Sequence, residues 1–253
     1  MKLRNFSLFQ SLSAKTNQRR LVSIFTLSLF VFVIPEAIAK FKPRTRKPPS
    51  EHSRAGGSRG CPGDGGIPLT LLAPQTYVGE TASKRPIFAW FMSTARTVDF
   101  ILFEVKPKQL PQIVMKAEEL NSLPGVNKFV VSSTQPELMV GKEYFWQISM
   151  LCPSGLTFVR AGFQVVNIPL ALKGRINSAS NSTQKITYLA EQGLWYDAFA
   201  EALKYSSQGK LGKLGSNLIQ ELIKHERVED KPNDSEAINS YIKNLQLIYQ
   251  QES

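Results

Sequence analysis

The sequence predicts an α+β protein, a β-sandwich followed by a helical bundle, on three observations. Residues 67–169 hold short apolar runs that alternate with period two and are divided by Pro, Gly and polar turns. Beyond Pro169 the apolar period shifts to near 3.6 and helix-forming residues dominate. Ahead of both, residues 40–66 are basic and rich in Pro and Gly, so they read as a linker. At 253 residues, 42% hydrophobic and 20% charged, the chain has enough apolar surface for a core, which excludes a disordered or collagen-like protein.

Residues 1–39 read as a secretory signal peptide. Arg19-Arg20 precede a 14-residue apolar run, Leu21 to Ile34, too short to span a bilayer comfortably, and Ala37-Ile38-Ala39 is a small-residue cleavage site. The alternative is an uncleaved anchor. Either way the expected destination is the periplasm, outer envelope or extracellular space.

Net charge is +4 over 1–39, +6 over 40–60, +1 over 61–170 and zero over 171–253, so the total of +11 belongs to the first 60 residues. The folded part is near neutral, and nucleic-acid binding is not expected. Within 40–66 almost nothing apolar follows Phe41, and the segment is expected to be an extended tether. Lys40, Lys42, Arg44, Arg46, Lys47, Arg54 and Arg59 would make it an electrostatic leash for an anionic lipid or envelope polymer, or it is a plain soluble linker.

Cys61 and Cys152 are the two cysteines, and in an oxidising compartment they are expected to form a structural disulfide. There is no C-x-x-C for a redox pair, and His52 and His225 are the only histidines, so neither a metal nor another cofactor is implied.

Seven strands are expected, over 68–72, 86–92, 98–105, 112–116, 128–132, 143–151 and 157–166. That number suits an immunoglobulin- or fibronectin-III-like sandwich. Leu138 lies six residues before Tyr144, the spacing of a tyrosine corner, in which the phenol bonds backbone across a turn between sheets. Trp90 and Trp146 are expected in the core, the rival being a sugar-stacking platform. Residues 117–127, with Glu118-Glu119 and Pro124-Gly125, read as a loop at one end of the sandwich and a candidate contact surface.

Four helices are expected in residues 178–250, over 183–191, 196–206, 211–226 and 235–250. Leu211, Leu214, Leu218 and Leu222 form one stripe, and Ile238, Tyr241, Ile242, Leu245 and Ile248 another. Short links imply two antiparallel hairpins. The run from Tyr188 to Ala198 resembles the turn of a tetratricopeptide unit, but the second hairpin lacks the matching Gly and Ala, so a TPR-like hairpin rather than an array is expected. Trp195 and Tyr196 read as hairpin core or sandwich contact, or as an exposed partner-binding surface.

Arg59-Gly60-Cys61, Leu71 to Pro74, Pro86 to Trp90, Tyr144 to Trp146 before Cys152, and Gly193 to Ala198 together resemble a cyanobacterial family of secreted proteins, domain of unknown function 928, over about residues 55–250. The resemblance implies an exported envelope protein and brings no catalytic residues with it.

No catalytic constellation is recognisable. A hydrolase triad needs a structured His, and His225 near a helix C-terminus is expected in solvent with its charged form favoured. The expected function is therefore a non-catalytic interaction or scaffolding protein whose partners are envelope proteins or an anionic envelope polymer. The alternatives are a carbohydrate-binding module and a hydrolase.

Overall fold

Among the described residues eight strands and five helices follow one another as the change of period requires. The strands are β1 (Thr70–Leu71), β2 (Gly79–Thr81), β3 (Ile87–Met92), β4 (Arg96–Glu104), β5 (Gln112–Ser122), β6 (Gly125–Val130), β7 (Glu143–Cys152) and β8 (Gly155–Val165). The helices are α1 (Leu170–Asn177), α2 (Ser182–Glu191), α3 (Trp195–Ala202), α4 (Gly212–His225) and α5 (Ser235–Glu252). This computed structural model describes residues 40–51, 61, 65–227 and 234–252. The expected leader, Arg54 and Arg59 lie outside the described residues.

The strands form two sheets, ordered β1-β3-β6 and β2-β8-β7-β4-β5. All named pairs are antiparallel except β2 with β8, which is parallel. Alternation sends Phe88 of β3 inward, where it meets Phe100, Trp146 and Phe163 of the other sheet at 5.1–5.3 Å between ring centroids. From Phe88 to Met92 every residue of β3 is buried, so both faces of the strand are covered. The second cover is helical, for α3 packs against β3 and β2, and α5 against β1. The described residues from Lys40 onward form one compact unit, in which residues 40–51, the two sheets and the helices belong together.

Two strands are longer or earlier than expected. Residues 117–127 are not a loop. They complete β5, turn at Leu123-Pro124 and enter β6 in the other sheet. Glu118-Glu119 are accommodated by a bulge opposite Asp99. Glu119 takes φ +56° there, and its N–H donates to Asp99 Oδ1 at 3.0 Å. Tyr144 performs the expected corner, its phenol oxygen accepting the Met139 N–H at 3.0 Å.

The disulfide forms as expected between Cys61 and Cys152, 91 residues apart, and ties the chain ahead of β1 to the end of β7. Among the described residues no helix is long and apolar enough to cross a membrane.

The expectation of a free tether fails for residues 40–51. Phe41 is wholly buried, edge-on to Trp195 at 5.2 Å and to His225 at 5.7 Å. Its N–H donates to Glu221 Oε2 at 3.2 Å, and the next N–H, of Lys42, to Ala190 O at 3.0 Å. Arg44 pairs with Glu80 at 3.5 Å, and Lys47 with Glu143 at 2.5 Å. The segment is a docked strap, because one aromatic side chain and a series of backbone and ionic partners suffice to order a stretch whose average composition is polar.

Candidate functional site

Gly193 to Ala198, the run that resembled a helical-hairpin turn, is where strap, helices and sheets meet. Gly193 takes φ +71°, and a Cβ there would come within 2.8 Å of Lys42 O and Arg44 N, so the strap's passage requires glycine. Trp195 stacks on Phe199 at 5.2 Å and donates from Nε1 to Leu72 O at 3.0 Å. Tyr196 accepts the Trp146 indole N–H at 3.1 Å and lies against Phe88 and Phe163, one from each sheet. Burial pushes its phenol well above the usual range, so it stays neutral. Trp195 and Tyr196 are 0% and 3% exposed, and so they brace the fold rather than offer a partner surface.

Trp90 and Trp146 are buried too, Trp90 donating to Ser122 Oγ at 2.8 Å, so the tryptophans form no sugar-stacking platform on the surface.

Asp197 accepts the Ala82 N–H at 2.8 Å and so fastens α3 to the end of β2. Burial pushes its carboxyl up to about 6, against the opposing hydrogen bonds from the Ala82 backbone and the Thr81 side chain. Its ordinary value is 3.8, so the native state holds this proton more tightly than the unfolded chain. The contribution of that tighter hold to stability is complete below about pH 4 and is lost as pH rises through about 6. Wild type is therefore expected to lose stability relative to Asp197→Asn between pH 4 and pH 7 in thermal unfolding. A difference between the two proteins that does not change with pH would refute the shift.

His225 is half-buried rather than free in solvent. Its Nε2 lies 2.9 Å from Phe41 O, and its own carbonyl accepts Arg46 Nη2 at 2.9 Å. Burial holds the imidazole below its usual range, opposed by the Phe41 hydrogen bond and by Glu221. Next along the chain, Glu226 accepts the N–H groups of Gln75 and Thr76 at 3.0 and 2.9 Å. Tyr241 of α5 donates to Ala73 O at 2.7 Å. The groups best suited to acid–base work are thus engaged in holding the strap and the link between β1 and β2. Among the described residues no group of three or more His, Cys, Asp or Glu is placed to hold a metal ion.

The open feature lies elsewhere. A groove of about 780 Å³ runs between the β5–β6 corner and the stretch from Leu203 to Lys210, with Asn121, Pro124, Lys128, Ser207 and Gln208 among its walls. Its two sides touch where Val126 N–H donates to Gly209 O at 2.8 Å. Gly125, at φ +99°, allows that approach, since a Cβ would collide with the Gly209 carbonyl. β6 is the edge of its sheet, and strand alternation turns the backbone groups of Lys128 to the same open side as those of Val126. The sequence marked residues 117–127 as a contact surface, and one wall of the groove is built from them. The other wall carried no signal in the sequence, since residues 207–210 read only as a link between helices and Ser206 as the end of one.

No curated protein matches the chain. Among solved structures, "Structure of Astrotactin-2, a conserved vertebrate-specific and perforin-like membrane protein involved in neuronal development" matches at 12% identity and a TM-score of 0.26, a likeness too slight to carry any argument. It covers 73% of this chain and 35% of that one, so the chain spans about a third of that structure's length. The family comparison is of another order, because the model described as Domain of Unknown Function (DUF928) matches residues 54–233, a span that holds every strand, α1 to α4, both cysteines and the Gly193–Ala198 run. The chain belongs to the DUF928 family.

Proposed function

We propose that the protein is an exported, non-catalytic interaction protein of the cell envelope that receives an extended segment of a partner protein along β6. The groove carries this reading. It already accepts one antiparallel partner, Gly209 on Val126, and leaves room beside Lys128 for a longer strand. Engagement of His225, Glu226 and Asp197 in holding the chain favours binding over catalysis. Strand order, the parallel β2–β8 pair and the Tyr144 corner support an immunoglobulin- or fibronectin-III-like sandwich, and the packed pair α2–α3 supports a TPR-like hairpin. Export to the periplasm or outer envelope is supported by the disulfide and by the leader-like residues 19–39. Cyanobacterial origin is supported by the motif resemblance alone.

The test is affinity capture from the host's own envelope extract, comparing wild type with a groove-blocked Lys128→Glu, Gln208→Trp protein. A partner retained at high salt by wild type and lost by the variant is the expected result. An identical set of partners from both proteins would remove the groove from the account.

A further inference from the structure

The loops at one end of the sandwich combine exposed apolar side chains with an excess of lysine. β4, β5 and β7 meet there, as the pairings of Glu104 with Gln112 and with Tyr144 require. The link from Val105 to Pro111 leaves β4 with its first N–H bonded to Glu143 O at 2.9 Å, and so runs beside the approach to β7. At its tip Leu110 is 84% exposed. On the neighbouring approach, Met139 is 54% and Val140 46% exposed.

These residues are held in place rather than left loose. Pro107 and Pro111 restrict the first link, and Lys108 takes a left-handed turn at φ +58°. The second is pinned by Leu138 N–H to Lys84 O at 3.0 Å, by Gly141 N–H to Val165 O at 2.7 Å and by the Arg85 guanidinium, which reaches the carbonyls of Ser132, Ser133 and Gln135. The Met139 N–H is the one bonded to Tyr144. One exposed leucine is ordinary, but Leu110, Met139 and Val140 held together at one end of the sandwich make a surface that a partner can cover.

Charge identifies the cover. The links over 82–86, 105–111 and 131–142, taken with the strand ends Glu104 and Glu143 that adjoin them, contain Lys84, Arg85, Lys106, Lys108 and Lys142 against Glu104, Glu137 and Glu143, an excess of +2, whereas residues 61–253 as a whole carry only +1. Lys84 and Arg85 pair with Glu137, and Lys142 with Glu104. Among the described residues no ion pair engages Lys106 or Lys108, the two cations that flank the exposed leucine in sequence. The hairpin tip at the opposite end of β7 and β8 also exposes apolar side chains, Leu151 and Leu156, but residues 150–157 there contain no charge.

We propose that this end of the sandwich docks on an anionic lipid bilayer. Leu110, Met139 and Val140 enter the boundary between headgroups and acyl chains, and Lys106 and Lys108 lie among the phosphates. A dissolved anion would satisfy the lysines and leave the leucine in water, and a neutral apolar surface would do the reverse. An anionic bilayer satisfies both. The surface is separate from the β6 groove and does not depend on it.

The natural tryptophans are buried beyond the reach of a quencher in the bilayer, so the difference between the variant's emission and that of wild type reports on the surroundings of a tryptophan introduced in this loop. In the full chain, the Leu110→Trp reporter is expected to lose about half its emission to vesicles of brominated phosphatidylglycerol and little to vesicles of brominated phosphatidylcholine. Adding Lys106→Glu and Lys108→Glu should abolish that quenching, and a Leu156→Trp reporter at the opposite end should show none. Because every change is at a surface position, folding is preserved. Quenching that is absent at Leu110→Trp, or equal at the two ends, overturns the proposal. So does binding to soluble polyphosphate with no lipid quenching, which would assign the lysines to a dissolved anionic polymer.

Discussion

Phe41→Ala is expected to lower stability by about 3–5 kcal/mol, the usual loss when a buried phenylalanine is truncated. Phe41 is wholly excluded from solvent, and its contacts come from two different helices, Trp195 on α3 and His225 on α4. Little can collapse into the vacated space, because Trp195 is fixed by its bond to Leu72 O and His225 by a carbonyl that belongs to Phe41 itself. Against a total of about 5–15 kcal/mol for a protein of this kind, the loss is a large fraction. The midpoint of urea unfolding measures it. Limited trypsin digestion measures its local part, since Arg44 and Arg46 become cleavable once the strap lifts, whereas Lys42 and Lys47 precede proline and resist the enzyme. An unchanged midpoint together with unchanged cleavage would mean that the segment only rests on the body.

Removing the disulfide is expected to cost about 4.6 kcal/mol by the chain-entropy estimate for a loop of this length. The bond closes 91 residues and joins the chain before β1 to the last residue of β7, so it restrains nearly the whole of both sheets in the unfolded state. The Cys61→Ser, Cys152→Ser protein should therefore unfold at a clearly lower midpoint than the oxidised wild type, and dithiothreitol should bring the wild type down to meet it. If reductant leaves the wild type unmoved while free thiols appear, the cross-link contributes no stability.

Much of the fold was legible because binary pattern carried it. β3 and β7 announced themselves by alternation around Phe88, Trp90, Tyr144 and Trp146, and α4 and α5 by their leucine and isoleucine stripes. What escaped lacks such a pattern. β2 is Gly79-Glu80-Thr81, three residues with no apolar run, placed by its parallel pairing with β8. The second half of β5 was hidden by Glu118-Glu119, whose acidity reflects an exposed edge and a bulge rather than a loop. α1 carries almost no apolar stripe and buries only Leu172.

The strap was misjudged for a related reason. A composition argument averages over a segment, and here one side chain, Phe41, decides the outcome while the charges around it find individual partners. Trp195 and Tyr196 show the converse. Their placement at a helix start left both burial and exposure open, and only the tertiary arrangement, with an indole donating to one and a carbonyl receiving from the other, determines which holds. The groove was half visible, since one wall is a strand corner with turn residues and the other a helix break distant in sequence.

The stretch from Leu72 to Thr76 is the seam of the molecule. Leu72 O receives from α3, Ala73 O from α5, and the amides of Gln75 and Thr76 donate to the residue that follows α4. Severing the polypeptide at position 169 and transplanting the two sheets into a chimera would strip four backbone groups of their partners at once and uncover the parts of β1, β2 and β3 on which α5 and α3 pack. A cut between sheets and helices therefore leaves unsatisfied groups on both pieces, and recombination that keeps the two together spares the chain that cost.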